Sequence, residues 1–512
     1  MHQSWLDGDI LCRWAPHLIH GHGYPIFNFY PPLFSYAASF AMFFFPAVLA
    51  FNLTVSLFYF LSGLSMYIFA RKLWGRSGGL ISAIAYLFAP YHILDLYVRG
   101  AAAELTVFVF FPLILWSIYC LSQRLSLRPL IVGFFSSAGL FLSHNISALI
   151  FFPVAFLYLI FAVMTSEDKS IKKIVAGLSV FMGGFLLAAY FIIPALVEKR
   201  FVHIERVLIG LRDYRRYFVD VGQLFHLSWR GFAGVIGQGH GMYFTLGFAH
   251  LLLAIGALIF LKKVAASFKG AGAQILFFFI FLLVSLFFTL RISSFFWRTL
   301  PMLSFVQFPW RFLMCATTAI SILCGGVVPS FNRKLRLYLV PITCLVLFIA
   351  NISFCNAARY DQIPEGSFVD LLKASTPMDG MEYVPKWVKV ATISPGLRDF
   401  RPMAGQAVVI DKGGRPLDRH FQVKAAEFTC ICFYSYYFPG WEVFIDGKPS
   451  KIHFENSYGL ILFSVPVGQH QVRVHFGTTP VRRISEAVSL IFLFLITVVI
   501  IYRKRVDEWL QG

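Results

Sequence analysis

NLTVSLFYFLSGLSMYIFARKLWGRSGGLISAIAYLFAPY, residues 52–91, decides the class of this chain. Its first run, 52–70, is apolar over close to the ~20 residues that a bilayer core demands of a helix. Arg71, Lys72 and Arg76 follow, and a second apolar run occupies 79–91. Two apolar runs joined by a basic turn read as two membrane spans whose connection is cytoplasmic, where Lys and Arg concentrate.

The same alternation extends outward. Basic clusters recur at Arg124 with Arg128, at Lys169 with Lys172 and Lys173, at Lys262 and Lys263 with Lys269, at Arg333 and Lys334 with Arg336, and at Arg503, Lys504 and Arg505. With all of them in the cytoplasm, each interval holds two spans and one outer loop. Further spans then fall at roughly 105–121, 129–143, 147–164, 174–194, 242–261, 274–290, 312–329, 337–353 and 485–502, about eleven in all. The expected class is mainly α, a polytopic transmembrane helix bundle with an outer-face antiparallel β domain near the C-terminus.

Eleven spans place the amino end outside. Residues 1–30 are polar and carry no signal peptide, so the natural start is expected upstream, with a first span entering from the cytoplasm. The apolar piece 33–49 is broken by Pro46 and, counted as a span, would invert every later loop; it reads as a helix in the outer interface. The expected domains are 1–51, an outer-face loop with this interfacial helix; 52–353, the bundle; 354–484, an outer-face β-rich domain; and 485–512, a final span and cytoplasmic tail.

Composition agrees. With 58% hydrophobic and 13% charged residues and a mean hydropathy of +0.71, a water-soluble globule is excluded. A net charge of +19 suggests nucleic acid in a soluble protein. Here much of the excess sits in short loops beside apolar helices and reads as topology, so no nucleic-acid partner is expected.

Within 354–484, FTCICFYSYYF, WEVFIDGKPSKIHF, GLILFSVPV and HQVRVHF read as strands, with Asp446-Gly447 as a hairpin turn and Pro466 with Gly468 as the next turn. A small antiparallel sandwich follows. Residues 354–420, rich in Pro, Gly and charge, are harder to place. Cys120, Cys315, Cys324 and Cys344 read as apolar fillers of spans. Cys430 and Cys432 share a strand face, where a bridge between them is strained; a link from either to Cys355 stays open.

The loops between spans hold the candidate chemistry. Asp7 and Asp9, two residues apart, can bind a divalent metal or act as a general base; alternatively they cap a short interfacial helix on which Arg13 follows Asp9 at i+4. Asp95, Arg99 and Glu104 lie at the mouth of two spans, where ionisable groups face a cavity or a partner; the i,i+4 pair Asp95 and Arg99 can equally neutralise itself. His144, between two spans, reads as a helix cap or as a catalyst. The loop from Glu198 through His203, Glu205, Arg206, Arg212, Arg215 and Arg216 is basic on the outer side and suits an anionic partner or lipid headgroups. Gln307 and Arg311, with Trp297, Arg298 and Trp310, sit at the entry of a span; the guanidinium groups can grip a phosphate or serve as snorkelling anchors.

The segments RWAP (13–16), GHGYPIFNFYPPL (21–33), YVRGAAAE (97–104), LSHN (142–145) and QFPWRFL (307–313) together resemble the multi-spanning GT-C glycosyltransferases, and most closely a bacterial branch labelled 6-pyruvoyl-tetrahydropterin synthase-related membrane proteins. The resemblance covers roughly residues 5–330; FPGWEVFIDGKPS at 438–450 resembles a carboxy-terminal domain of related membrane proteins. It implies an inverting enzyme of the bacterial inner membrane that transfers sugar from a polyprenyl-phosphate carrier to an envelope acceptor, glycan or protein, on the outer face. It implies Asp7, Asp9, Asp95 or Glu104 as catalytic acid or base, and Arg13, Tyr24, Arg99, His144, Glu198, Gln307 and Arg311 as substrate-binding residues. A divalent metal stays open, and membrane lipid is the expected partner. The pterin label carries no chemical weight, since a pterin synthase needs a zinc held by histidines and no matching His cluster is present. One departure matters: the GT-C pattern puts its catalytic acid just after the first span, a stretch that here precedes Met1 or is absent. A non-enzymatic lipid or polymer export component, or an envelope scaffold, is the competing reading.

Overall fold

A computed structural model of the chain describes residues 1–208, 213–225, 244–267, 270–355, 382–390 and 400–503. Arg212, Lys269, Lys504, Arg505 and much of the 354–420 stretch lie outside the described residues. Among the described residues, seven helices are long and apolar enough to cross a membrane, or eight if the bent pair Ile171–Leu187 and Ala189–Phe201 counts as one span. The sequence reading of about eleven differs from this in identifiable places. Residues 47–87, read from sequence as two spans, count as a single 41-residue candidate although Gly75 breaks them into two arms, and the helices Leu127–Ser143 and Phe248–Ile259 fall short of a full span.

The chain divides into two compact units. The first comprises residues 51–188, 208–361 and 490–512. The stretch Ala47–Leu87, most of it in this unit, is two helices meeting at Gly75, whose φ of 75° only glycine adopts without strain. Tyr59 Oη donates to Leu87 O at 2.5 Å, and Gly79 lies against the Arg71 backbone, so the two arms fold back on each other as a helical hairpin. Small residues set the tightest approaches. A Cβ on Gly325 would lie 2.2 Å from Gly78 O, and one on Gly184 would lie 2.2 Å from Ser137 Cβ, the close backbone contact that membrane helices use where lipid leaves little hydrophobic drive between them. The helix Leu313–Gly326 is buried along its whole length, and Trp74 Nε1 donates to Ile322 O at 2.9 Å.

The second unit comprises residues 1–50, 189–207 and 362–489. Its centre is a pair of antiparallel sheets: β1 (Phe400–Ala404), β4 (Thr429–Tyr436) and β7 (Leu460–Val465) in one, and β2 (Ala407–Arg415), β3 (Asp418–Ala425), β8 (Gly468–Phe476), β5 (Trp441–Ile445) and β6 (Lys448–Ser450), in that order, in the other. Residues 400–425, most of them within the stretch 354–420 that is hard to place from sequence, supply three of these strands. Asp446 and Gly447 both have positive φ, 49° and 79°, as the two-residue turn joining β5 to β6 demands. The turn holding Pro466 carries the chain from β7 in one sheet to β8 in the other. Phe421, Ile431, Phe433, Trp441, Val443, Phe463 and Val474 form one buried cluster with Trp14 and Tyr24 of the amino-terminal segment. All eight cysteines are free.

The expected helix around Asp7 and Asp9 is displaced. It spans His2–Leu6, with Asp7 just past its carboxyl end. Asp9 Oδ1 accepts from the Cys12 amide at 3.0 Å, a local turn that ends the helix before Arg13 can follow at i+4. Leu33–Ala41 is helical, and Phe40 in it and Phe43, Phe44 and Phe45 just beyond it are exposed.

Candidate functional site

In the first unit the chain gathers charge at the mouth of its helices. The short helix Pro90–Tyr97 starts with proline at its first position, where a missing N–H costs nothing, and it brings Tyr91 and Asp95 onto one face at i,i+4. Arg99 follows in a turn closed by Gly100, whose φ is 57°. Glu104 opens the helix Ala102–Gln123, an amino-terminal position that favours a negative charge. Arg311 lies in the 3₁₀ turn Pro309–Phe312 that feeds the buried helix Leu313–Gly326.

These residues form one network. Arg99 donates through Nη1 to Asp95 Oδ1, through Nη2 to Glu104 Oε2 at 2.8 Å, and to Tyr91 Oη at 3.1 Å. Tyr91 Oη in turn donates to Glu104 Oε1 at 2.8 Å, so both Glu104 oxygens are held. Arg311 Nε stands 3.7 Å from Glu104 Oε2, while its Nη1 donates to Val306 O and to Gln307 Oε1, both at 2.8 Å. The Arg99 guanidinium lies 4.4 Å above the Trp310 ring, a cation–π contact strengthened by exclusion of water. Gln307 reaches Arg311 from a backbone φ of 68°, a strained conformation for a residue other than glycine.

His144 caps the helix Asn145–Met164, its Nδ1 accepting from the Ser147 amide at 3.3 Å, which leaves the neutral ring's proton on Nε2. Burial, aided by Arg311, pushes its pKa down to about 3. Burial pushes the Asp95 carboxyl well above the usual carboxylate range, against the pull of Arg99. Asp95 Oδ2 and Arg311 Nε are buried and make no hydrogen bond among the described residues. Asp95 also forms part of the wall of a pocket of about 370 Å³ lined by Phe51, Asn52, Val55, Ser56, Tyr59, Leu96, Tyr97, Gly100, Ala102 and Leu105.

The other predicted residues lie in the second unit. Glu198 is buried and accepts from Arg482 Nη2 at 2.9 Å, from Asn28 Nδ2 at 2.7 Å and from Thr479 Oγ1 at 2.9 Å. Arg13 donates to Tyr190 O at 2.7 Å and to Glu486 Oε1 at 3.0 Å. Tyr24 is buried and accepts from the Tyr383 amide at 3.3 Å. Asp7 pairs with His17 at 3.2 Å, and burial raises the Asp9 carboxyl above its ordinary value. Of the eleven predicted residues, the first unit thus joins Asp95, Arg99, Glu104, Gln307 and Arg311, with His144 under their field. Tyr91, Arg482 and Glu486 were missed. Arg482 and Glu486 open an apolar helix, where ionisable residues are themselves a signal, and Tyr91 stands one turn before Asp95. Among the described residues no group of three or more His, Cys, Asp or Glu is arranged to hold a metal.

A family described as "6-pyruvoyl-tetrahydropterin synthase related domain; membrane protein" matches residues 27–357. An uncharacterized protein of Lactococcus lactis subsp. cremoris (strain MG1363) is 27% identical over 201 residues, which cover 37% of this chain and 32% of that protein. The chain therefore spans about a third of the length of this curated relative. No solved structure matches.

Proposed function

We propose, for a chain that belongs to the 6-pyruvoyl-tetrahydropterin synthase-related family of membrane proteins, a GT-C-type glycosyltransferase reaction that moves sugar from a polyprenyl-phosphate carrier to an envelope acceptor. The reaction takes place at the outer face of a bacterial inner membrane, in a bundle of about eleven spans. The observation that carries the reading is Asp95. It is a carboxylate on the wall of a largely apolar pocket, with one oxygen held by Arg99 and the other making no hydrogen bond among the described residues.

Asp95 acts as general base, taking the proton of the acceptor hydroxyl as that oxygen attacks the anomeric carbon on the face opposite the phosphate, so that the sugar inverts. A carboxyl raised by burial above its ordinary value holds a proton more strongly and so is the better base. Glu104 does not compete for this role, because Tyr91 and Arg99 occupy both its oxygens. It positions Arg99 and stands beside Arg311. As the glycosidic bond breaks, negative charge grows on the leaving phosphate, and the Arg311 guanidinium favours that charge over the ground state. The prenyl chain takes the apolar wall of Phe51, Val55 and Leu105.

The test has two readouts. Native mass spectrometry of protein released gently from its own membrane should find a bound polyprenyl phosphate or its glycosylated form. Transfer from that carrier should fall roughly 10²–10⁴-fold in Asp95→Asn, the usual worth of a positioned base, with the carrier still bound. Retention of ordinary phospholipids alone would overturn the reading in favour of an envelope scaffold. Carrier bound without any transfer in the unaltered protein would favour an export component.

A further inference from the structure

A second pocket of about 210 Å³ lies in the first unit. Ile81, Leu253, Val327, Val328, Phe331, Leu339 and Val340 make its apolar wall, with Thr343 and Arg336. Arg336 is half-buried and fixed in place, its Nε donating to Phe331 O at 2.7 Å and its Nη2 to Pro329 O at 3.1 Å. Carbonyls orient a guanidinium without neutralising it. Arg333 and Lys334 stand exposed on the same first turn of the helix Arg333–Asn351. Lys262 and Lys263 begin the helix Leu261–Ser267, and the Lys263 ammonium sits 5.5 Å from the Phe260 ring, which packs edge-on against Phe331 of the pocket wall.

No carboxylate is available from this part of the chain: residues 221–360 contain no Asp or Glu. Arg336 therefore stands in the wall of an apolar slot, with Arg333 and Lys334 on its own helical turn and Lys262 and Lys263 on the helix beside Phe260, in a stretch of sequence that contains no acidic residue. A free phosphate would meet the cations and leave the slot unfilled, and a neutral lipid would do the reverse. An anionic phospholipid satisfies both, since basic pockets between membrane helices bind anionic head groups and apolar contact with an acyl segment leaves no polar group unpaired.

We propose that this pocket is a binding site for one anionic phospholipid, its phosphate held by Arg336 with Lys262, Arg333 and Lys334, and part of one acyl chain seated against Leu253, Val328 and Leu339. The site is separate from the proposed transfer chemistry and does not depend on it.

Native mass spectrometry in detergent, with added dioleoyl phosphatidylglycerol, dioleoyl phosphatidylcholine or inorganic phosphate, tests the assignment. One phosphatidylglycerol should be retained at least several-fold over phosphatidylcholine, and retention should weaken as salt is raised. The exposed triple variant Lys262→Gln, Arg333→Gln, Lys334→Gln should cut phosphatidylglycerol retention by about tenfold and leave phosphatidylcholine unchanged. Thr343→Phe, which fills the slot without touching charge, should reduce retention independently and covers the case in which the triple variant fails to fold. Equal retention of the two lipids, retention unaffected by either variant, or displacement of the lipid by millimolar inorganic phosphate alone would overturn it.

Discussion

Arg99 is the hub of the first unit's network, and its replacement by Met separates charge from shape. The flexible Met side chain keeps much of the volume above Trp310 but strips the shared counter-ion from Asp95 and Glu104. Their side chains are 0% and 1% exposed. Breaking a buried pair by removing one partner costs about 3–5 kcal/mol, because the charge left behind is uncompensated. At about 2–4 °C per kcal/mol for a domain of a few hundred residues, the unfolding midpoint should fall by roughly 6–20 °C near pH 8. The loss has a pH signature with a definite sign. Burial already lifts the Asp95 carboxyl well above its ordinary value, and losing Arg99 lifts it further. A carboxyl raised in the folded state contributes stability below its unfolded pKa and loses it as pH rises toward the folded one, by up to about 1.4 kcal/mol per unit. The loss near pH 5.5 should therefore be smaller than near pH 8, because the raised carboxyl takes up its proton more readily as pH falls. Tryptophan-fluorescence melting in detergent at the two pH values measures both numbers. A loss equal at the two pH values, or none at all, would refute the assignment of Arg99 as counter-ion. Arg99→Met combined with Asp95→Leu should recover part of the stability, since apolar replacement of both partners of a buried pair is close to neutral.

In the second unit, Arg482→Met should lower stability by about 3–5 kcal/mol, because Glu198, 3% exposed, keeps its charge without its guanidinium; hydrogen exchange of the β5 and β8 amides should quicken, and an unchanged exchange pattern would count against a buried ion pair. Gly325→Ala drives a methyl to within 2.2 Å of Gly78 O, so about 1–3 kcal/mol of overpacking strain is expected, read as a lower melting midpoint; Gly256→Ala, where the added Cβ would find its nearest neighbour at 3.4 Å, is the tolerated control.

What the sequence revealed and what it withheld follow from one rule about charge in lipid. An ionisable residue at the end of an apolar run is expensive and must find a partner, so Asp95, Arg99, Glu104 and Arg311 were visible as candidates from position alone. The rule does not name the partner. Arg13 looked paired with Asp9 at i+4, yet it pairs with Glu486, 473 positions away, because the Asp9 oxygen is taken up locally by the Cys12 amide. The count of about eleven exceeds the seven or eight candidate spans among the described residues for a related reason. Arg71, Lys72 and Arg76 signalled a turn, but whether the flanking helices are each long enough to cross is settled by where the backbone bends, and the bend at 187–189 falls between Gly184 and Pro194, neither of which stands at the bend itself. The strands of residues 400–425 hid because β1 and β2 lack a clean apolar alternation and lie largely exposed, and Pro402, Gly413 and Gly414 within them mimic loop. Pairing, not propensity, makes them strands: eight register partners link β3 to β8. The residues most easily missed are thus those whose role is set by a distant partner. That argues for seeking the rest of a site such as Asp95's first among charges that open apolar helices, and only then among neighbours in sequence.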